Sequence, residues 1–458
     1  MSARAVSKSR KKQKMRNVGA ISPARVAAFE TLKRVEEEGA FASVLLAATG
    51  EELSSQDRAL SYELVLGVLR WQRWLDCLIE HFAGRSAQSL DAPVRQALRL
   101  GLYQLRFLTR VPSSAVVNDA VNLVHAARLR SAAAFVNAVL RRATREPDYD
   151  PASNITDTLE RIAVKTSHPT WLIERWVDAF GFEETERFAR SNTAAPPVAF
   201  RVVKDDETDV IGELRAGGAT LSQSTVAPDG WRVEGASAVW RRLSREGKIY
   251  VQDEASQLLA YVLDAQSGEM ILDACAAPGS KTTHIAALTK GEAKIVAGDL
   301  YEHRLRTVLE SAARQRLKGI NVVALNATVA MPFAEGCFDR VLVDAPCTGT
   351  GTLRRNPEIR WRITPSDIAD LSRRQRLILA NASKMVRPGG RLVYSTCSVE
   401  KEENEEVVED FLAQHKEFKQ VRLSARAELQ TDSGALRTWP HRQGTDGFFI
   451  AACERQSS

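Results

Sequence analysis

The sequence contains no long apolar segment and no cysteine pattern that binds metals. No stretch of the 458 residues approaches the ~18 consecutive apolar residues of a membrane-spanning helix, and the N-terminus lacks the apolar core of a secretory signal. None of the six cysteines forms a Cys-x-x-Cys pair, and no histidine stands at zinc-ligand spacing from one. We therefore expect no membrane segment, no metal site, and free thiols in the reducing environment of the cytoplasm.

The body of the chain also carries little net charge. The whole protein has a charge of +6, but residues 1–16 alone hold seven Lys and Arg and no acid, which leaves about −1 for residues 17–458. We predict that residues 1–19 form a basic disordered tail, which adds a salt-sensitive attraction to phosphate. A tail that only keeps the protein in solution explains the same run of charge.

The pattern of apolar residues predicts several domains. Residues 20–147 show helical spacing throughout, with a first helix that opens at Ser22-Pro23 and another that runs from Leu123 to Arg142. This part of the chain is predicted to be a compact all-α domain. Residues 148–165 are polar and resemble a linker, and residues 165–245 are predicted to form a small α+β module.

Residues 246–458 alternate between predicted strands and helices. The candidate strands span residues 270–274, 294–298, 322–325, 340–343 and 391–395. Helices between successive strands predict a parallel sheet with crossover connections. Near the end of the chain, residues 418–421 and 448–452 are predicted to pair as an antiparallel edge.

A short loop after the first of these strands allows close approach of a ligand. The loop consists of Cys275, Ala276, Ala277, Pro278, Gly279, Ser280 and Lys281. It lacks both the Gly-x-Gly-x-x-Gly pattern and the P-loop spacing, which argues against a dinucleotide or a triphosphate. Asp299, after the next strand, is placed to accept the hydroxyls of a ribose, although alone it is better explained as a helix N-cap. Asn326, one strand later, can meet an adenine edge, and Asp344 closes a set that indicates S-adenosylmethionine.

Two cysteines, Cys347 and Cys397, each follow a short apolar run and are expected at the C-terminal ends of strands. Carbon 5 of a pyrimidine is a weak nucleophile, and addition of a thiolate to carbon 6 activates it toward a methyl sulfonium. One cysteine can serve as this nucleophile and the second can assist its release, while Asp344 can support the ring nitrogen N3. The pair therefore predicts methyl transfer to a pyrimidine.

Three motifs carry a resemblance to a known family. They are Asp344-Ala345-Pro346-Cys347, Ser395-Thr396-Cys397-Ser398 and the loop from Cys275 to Lys281. In this order and in these strand contexts they resemble the motifs of RNA 5-methylcytosine methyltransferases. The N-terminal helical part is similar to the antiterminator NusB, and the combination resembles the bacterial 16S rRNA methyltransferases of the Sun/RsmB type.

This resemblance implies a fold and a reaction. The fold is multidomain, with an all-α NusB-like RNA-binding domain over residues 20–147, a small α+β RNA-binding module over 165–245, and an α/β Rossmann-like S-adenosylmethionine-dependent methyltransferase domain over 246–458. The expected substrate is a specific cytosine of 16S rRNA, at position 967 in the usual rRNA numbering. The resemblance makes Cys397 the nucleophile that adds to carbon 6, and Cys347 the residue that assists breakdown of the adduct.

The resemblance also implies the cofactor contacts. It places the whole cofactor loop, Asp299, Asn326 and Asp344 against S-adenosylmethionine, while Lys281 either neutralises the cofactor carboxylate or faces solvent. Two positions depart from the family pattern. Ser280 replaces a frequent glycine, which is a small change, and Asn326 stands where the family usually has aspartate, which puts the adenine contact in most doubt.

RNA is the expected partner, either as 16S rRNA or in a small-subunit assembly intermediate, and we expect a monomer in the cytoplasm. The basic and aromatic segment from Arg354 to Arg362 is predicted to contact phosphates and bases, with a solvated loop as the alternative. The acidic run from Glu400 to Glu406 is assigned no catalytic role. A tRNA 5-methylcytosine methyltransferase and an RNA-binding assembly factor without catalysis stay open, and the missing phosphate-binding glycines disfavour an NAD-dependent oxidoreductase.

Overall fold

The computed structural model describes residues 21–49, 52–203, 207–235, 238–424 and 426–457. The chain divides into two compact units. The helical unit comprises Met1–Ala194 together with Leu353–Arg362, and the sheet unit comprises Ala195–Thr352 together with Ile363–Ser458. The predicted basic tail, residues 1–19, lies outside the described residues. None of the described helices is both long enough and apolar enough to cross a membrane.

The helical unit is built on amphipathic helices. They are α1 (Pro23–Glu37), α2 (Ala42–Thr49), α3 (Ser55–Arg70), α4 (Gln72–Ala83), α5 (Ala92–Phe107), α6 (Ser113–Ala126), α7 (Ala133–Arg145), α8 (Thr158–Lys165), α9 (Thr170–Phe180) and α10 (Phe182–Ser191). Helix α1 begins where the sequence predicts, because Ser22 caps it by accepting from the backbone N–H of Arg25. Its apolar stripe, with Phe29 and Leu32 buried, packs against α3 and α5.

Two sequence expectations in this unit differ from the structure. The helix expected from Leu123 to Arg142 is two helices, since α6 ends at Ala126 and α7 begins at Ala133. Between them Arg128 adopts a φ of 65°, a left-handed conformation that ends a helix, and the apolar spacing on either side conceals this break. The expected linker contains α8, which Asp157 caps by accepting from the N–H of Glu160 at 2.7 Å.

The sheet unit begins with a small antiparallel sheet. Its elements are β1 (Val198–Val202), α11 (Glu207–Ala216), β2 (Thr220–Gln223), β3 (Gly230–Glu234), α12 (Ala238–Arg245) and β4 (Ile249–Val251). The strand order is β2-β3-β1-β4. The β1 residue Arg201 is 1% exposed and reaches out of this sheet to donate hydrogen bonds to Thr283 Oγ1 at 3.1 Å and Gln315 Oε1 at 3.0 Å. These bonds fix the small sheet to the rest of the unit.

An eight-stranded mixed sheet forms the remainder of the unit. Its elements are α13 (Glu254–Leu263), β5 (Met270–Asp273), α14 (Ser280–Leu288), β6 (Lys294–Asp299), α15 (Glu302–Arg314), β7 (Ile320–Ala324), β8 (Phe338–Asp344), α16 (Pro365–Ser383), β9 (Val386–Thr396), α17 (Glu405–Gln414), β10 (Phe418–Val421), β11 (Leu436–Thr438), α18 (Pro440–Gln443) and β12 (Phe448–Arg455). The order is β10-β12-β9-β8-β5-β6-β7, and β11 also pairs with β12. Strands β9, β8, β5, β6 and β7 are parallel, and β12 pairs antiparallel with β9 and β10. The predicted parallel sheet and its antiparallel edge are confirmed.

Candidate active site

The predicted site residues follow parallel strands that end at one edge of the large sheet. In the register of the sheet, Asp299 at the end of β6 lies opposite Ala324 of β7, and Asp344 at the end of β8 lies opposite Ser395 of β9. Because the carboxyl ends of parallel strands meet at the same edge, the loops that follow them are gathered there. This edge therefore collects the cofactor loop, Asn326 and both cysteines of interest.

The two candidate catalytic cysteines touch each other. The Sγ atoms of Cys347 and Cys397 lie 3.3 Å apart, and both side chains are half-buried. The contact with Cys397 and burial together raise the pKa of Cys347 well above its usual value. Cys347 therefore keeps its proton and can donate a hydrogen bond to the sulfur of Cys397. Such a pair is suited to nucleophilic chemistry at Cys397.

A glycine allows the two cysteine loops to approach this closely. Gly351 donates its N–H to the carbonyl of Cys397 at 2.9 Å, and its own carbonyl accepts from the N–H of Gly447 at 2.9 Å. A Cβ at position 351 would lie 2.1 Å from the oxygen of Gly447 and 2.8 Å from that of Cys397. No other residue fits here without moving the backbone that carries Cys397.

A half-buried ion pair lies beside the thiols. Lys281 Nζ is 2.7 Å from Asp344 Oδ2, and the hydroxyl of Ser395 donates to Asp344 Oδ1 at 2.8 Å. Burial alone would lower the pKa of Lys281, but Asp344 and the neighbouring Cys397 raise it, so the side chain stays charged. Of the two alternatives for Lys281, a side chain that simply faces solvent does not hold, because its Nζ is paired with Asp344.

Hydrogen bonds of buried groups in and beside the cofactor loop fix its conformation. Asp273, the last residue of β5, accepts from the hydroxyl of Thr282 at 2.6 Å, and burial raises its pKa to about 7. The N–H of Ala276 donates to the carbonyl of Gly298 at 2.8 Å, and Gly279 takes a φ of 103° just before α14 begins. Asp273 is not among the predicted site residues, because an acid that ends a strand resembles an ordinary loop residue.

Cys275 in this loop is not suited to nucleophilic chemistry. Burial and the surrounding carboxylates raise the pKa of its thiol far above the usual range, so it stays protonated. Its expected role as a cofactor contact stays a prediction.

The next two strand ends offer groups that fit a nucleoside. Asp299 is 5% exposed, and its carboxylate accepts from the N–H of Ala277 at 3.3 Å and from Arg304 Nη1 at 3.3 Å. Asn326 is exposed, and its Oδ1 accepts from the N–H of Thr328 at 3.0 Å and from the Thr328 hydroxyl at 2.7 Å. A carboxylate can accept from ribose hydroxyls, and an amide whose oxygen is already bonded keeps its NH₂ group as a donor, so these two side chains suit an adenosine group.

The expected RNA-contacting segment is largely buried. Arg360 is fully buried within the helical unit and donates to the carbonyls of Ser167 at 3.0 Å and Asn192 at 3.2 Å. Trp361 donates its Nε1–H to the carbonyl of Leu69, and Arg362 donates to the carbonyl of Ala40 at 2.6 Å. Arg360 is therefore not available for a phosphate contact, while Trp361 and Arg362 are half-buried and their contact with RNA stays a prediction.

Sequence analysis also missed a polar network around the cysteine loops. Its centre is Glu403, a fully buried member of the acidic run to which no role was assigned, and Thr348 and Gln375 donate to its carboxylate. The only local signal is that this run begins soon after Cys397, and that signal does not tell which acid points inward. Among the residues that the structure describes, no cluster of three or more His, Cys, Asp or Glu could hold a metal ion.

Comparisons with known proteins agree with this architecture. The family described as "16S rRNA methyltransferase RsmB/F" matches residues 260–454, the NusB family matches residues 22–145, and a "Methyltr_RsmF/B-like, ferredoxin-like domain" matches residues 168–240. The predicted fold class, with a NusB-like helical part, a small α+β part and an α/β methyltransferase part, is confirmed.

Full-length relatives point the same way. The chain is 36% identical over 441 residues to "Probable ribosomal RNA small subunit methyltransferase B" of Bacillus subtilis (strain 168), covering 94% of this chain and 98% of the relative. It is 34% identical to "Ribosomal RNA small subunit methyltransferase B" of Pseudomonas putida, covering 93% and 97%. A solved structure described as "Crystal Structure of PH0851" superposes with a TM-score of 0.82 at 32% identity, covering 95% of this chain and 99% of that one. The chain therefore belongs to the RsmB/F family of methyltransferases, enzymes that depend on S-adenosylmethionine.

Proposed function

We propose that this chain methylates carbon 5 of a cytosine in the RNA of the small ribosomal subunit, with cytosine 967 as the expected target. The family description and the names of the relatives support an rRNA substrate. The observation that carries the cytosine-5 chemistry is the 3.3 Å contact between Cys347 and Cys397 beside the pair of Lys281 and Asp344. Methylation at carbon 5 needs a thiolate at carbon 6, whereas methylation of an exocyclic amine or a ribose hydroxyl needs no thiol.

In the first step, Cys397 acts as the nucleophile. Its thiolate adds to carbon 6 of the cytosine, and the electron pair of the ring double bond shifts toward carbon 5. Lys281 supplies a fixed positive charge close to Cys397, and Lys281 and Ser395 together fix the carboxylate of Asp344 beside the thiols.

The cofactor supplies an electrophilic methyl group to carbon 5 when it is bound. We assign its contacts to the loop from Cys275 to Lys281, to Asp299 at the ribose hydroxyls, to Asn326 at the adenine edge, and to Asp344. Asparagine at position 326 can donate to a ring nitrogen of adenine, whereas the usual aspartate can only accept from the exocyclic amine. The replacement of aspartate by asparagine therefore exchanges an acceptor for a donor at the adenine edge, and a hydrogen bond can still form there.

Cys347 is proposed to assist release. A base removes the proton from carbon 5, the double bond between carbons 5 and 6 forms again, and the sulfur of Cys397 leaves as a thiolate. The raised pKa of Cys347 keeps it a thiol, so its S–H can donate to the departing sulfur at 3.3 Å and stabilise the negative charge there.

Two substitutions test these roles. Cys397→Ala should abolish methyl transfer but leave cofactor binding intact, and Cys347→Ala should accumulate a covalent protein–RNA adduct, seen as a band that survives denaturant. Cys337→Ala, at an exposed cysteine, is the matched control and should behave as the wild type. Turnover by the Cys397→Ala enzyme would reject the nucleophile, and normal turnover by Cys347→Ala without adduct would reject the release role.

The alternatives differ in substrate and in catalysis. Mapping 5-methylcytosine in rRNA and tRNA from cells with and without the gene separates an rRNA enzyme from a tRNA enzyme of the same chemistry. Cofactor binding without methylation of either RNA would instead favour an assembly factor. We propose the cytoplasm as the site of action, because the rRNA substrate is found there, and a monomer as the working form.

A further inference from the structure

Glu403 is a carboxylate in the interior of the sheet unit. It ends the short helical turn Lys401–Glu403, and its side chain is fully buried. Its oxygens accept from the backbone N–H of Thr348 at 2.9 Å, from the hydroxyl of Thr348 at 2.5 Å, and from Gln375 Nε2 at 2.9 Å. Glu403, which follows Cys397 in the sequence, thus accepts from both donors of Thr348, the residue directly after Cys347.

The burial of this carboxylate is costly for the protein. Burial raises the pKa of Glu403, while its hydrogen bonds oppose that rise, and its bonding partners in the described part of the chain are all neutral. An apolar side chain of similar volume would avoid this cost if packing were the only need. A buried acid that accepts two hydrogen bonds from one residue of a loop is better explained by the position that it imposes on that loop.

The same network holds the chain on the other side of Cys347. Gln375, a buried residue of α16, donates through its Nε2 both to Glu403 and to the carbonyl of Pro346 at 2.9 Å. The residues immediately before and after Cys347 are therefore fixed by one pair of side chains. The hydroxyls of Thr348 and Ser398 are also 3.1 Å apart, which joins this loop to the residue after Cys397.

The backbone of Cys397 has supports that do not depend on Glu403. Asn404 Nδ2 donates to the carbonyl of Ser398 at 2.9 Å, and Asn404 Oδ1 accepts from the hydroxyl of Thr396 at 2.5 Å. The N–H of Gly351 binds the carbonyl of Cys397 itself. Glu403 also bonds to the side chain of Ser398. Because the bonds from Asn404 and Gly351 remain without Glu403, a change at Glu403 should loosen Cys347 more than Cys397.

We infer that Glu403 is a positioning residue that keeps the thiol of Cys347 in contact with the sulfur of Cys397. The inference rests on the proposed function, in which Cys347 assists the departure of Cys397 from the adduct. Addition to carbon 6 and methyl transfer use Cys397, so they should survive the loss of Glu403. Release needs the donor at the correct distance, so it should slow.

The test compares Glu403→Gln with a matched control. Glutamine keeps the shape but replaces one acceptor oxygen by a donor, which opposes the donors of Thr348 and Gln375. Glu405→Gln makes the same chemical change two residues away, where the carboxylate binds Arg437 at 2.7 Å. Thr348→Val is a second variant that removes only the hydroxyl donor, and retained binding of S-adenosylmethionine shows that each variant is folded.

In single-turnover reactions with rRNA, Glu403→Gln should increase the denaturant-resistant adduct. In steady-state reactions it should lower kcat by about tenfold, the loss expected for one or two charge-assisted hydrogen bonds, and leave KM for S-adenosylmethionine unchanged. Thr348→Val should show the same pattern more weakly, and Glu405→Gln should match the wild type. An equal loss in cofactor affinity, or no adduct from Glu403→Gln while Cys347→Ala accumulates it, would overturn the inference alone.

A second measurement does not depend on catalysis. In the RNA-free protein, diamide oxidises two neighbouring thiols to a disulfide and is itself reduced to the hydrazine. The initial rate of the Cys347–Cys397 bond, followed by peptide mass spectrometry, should fall about tenfold in Glu403→Gln because the two thiols are no longer held in contact. An unchanged rate would refute the positioning role even if the release role of Cys347 had already failed.

Discussion

Replacement of Asp273 by asparagine should remove a large part of the pH dependence of stability in the sheet unit. Asp273 is 1% exposed at the end of β5, and one carboxylate oxygen accepts from the hydroxyl of Thr282 at 2.6 Å. The other oxygen is buried without a hydrogen-bond partner in the described part of the chain. Burial raises the pKa of this carboxyl from 3.8 to about 7, against the opposing effect of the Thr282 bond.

The sign of the effect follows from proton binding. Between pH 3.8 and about pH 7 the folded chain holds a proton on Asp273 that the unfolded chain has lost. The free energy of unfolding therefore falls as pH rises through this window and becomes level above it. At about 1.36 kcal/mol per pKa unit, the wild type should lose on the order of 2 kcal/mol between about pH 5.5 and about pH 8 through this carboxyl, and Asp273→Asn should not.

The assay must report the sheet unit by itself, because a protein of several domains does not unfold in one step. Urea titrations at the two pH values, read by pulsed hydrogen exchange of peptides from β5 and β6, give the free energy of unfolding of this unit. The difference between wild type and variant cancels every other titrating group. If that difference were the same at both pH values, the carboxyl would titrate alike in the folded and unfolded chains, and the reasoning from burial would fail.

Three further outcomes are expected. Gly351→Ala should abolish methyl transfer without loss of the fold, since its Cβ would lie 2.1 Å from the oxygen of Gly447 and displace the Cys397 loop; wild-type turnover would contradict this. Arg360→Ala should lower the free energy of unfolding of the helical unit by about 3 kcal/mol, measured by urea titration, because buried carbonyls lose their donor and the volume of the side chain is left empty. Deletion of residues 1–16 should flatten the salt dependence of RNA binding, and an unchanged slope would show that the tail does not contact phosphate.

The strands of the large sheet and their parallel pairing could be predicted from the sequence, but their order in the sheet was not predicted. Each parallel strand is a short apolar run between turn signals, so its position is a local property of the chain. The rule that ligands bind at the carboxyl ends of such strands then located the loop from Cys275 to Lys281 and the residues Asp299, Cys347 and Cys397 at one edge. The motifs themselves, through the family resemblance, indicated the reaction class.

The contacts within the site could not be predicted in the same way. Arg360 lies in a basic segment and resembles an RNA-binding residue. It is nevertheless buried, because the carbonyls of Ser167 and Asn192, far away in sequence, accept hydrogen bonds from its guanidinium. Glu403 belongs to an acidic run that resembles a helix N-terminus. Its role as a buried hydrogen-bond acceptor depends on Thr348, which lies 55 residues away in the sequence and donates to it. The ion pair of Lys281 with Asp344 joins two loops that local patterns treat separately.

The sequence by itself determined where the strands end and which chemical groups follow them, because hydrophobic periodicity and turn composition act over a few residues. Only the tertiary structure decided which of those groups are buried and which of them meet. Burial and contact depend on chain segments brought together from distant positions, as with the sulfurs of Cys347 and Cys397, which are 50 residues apart and 3.3 Å from each other. That long-range packing brings two loop thiols into contact and places Glu403 in the interior beside their loops.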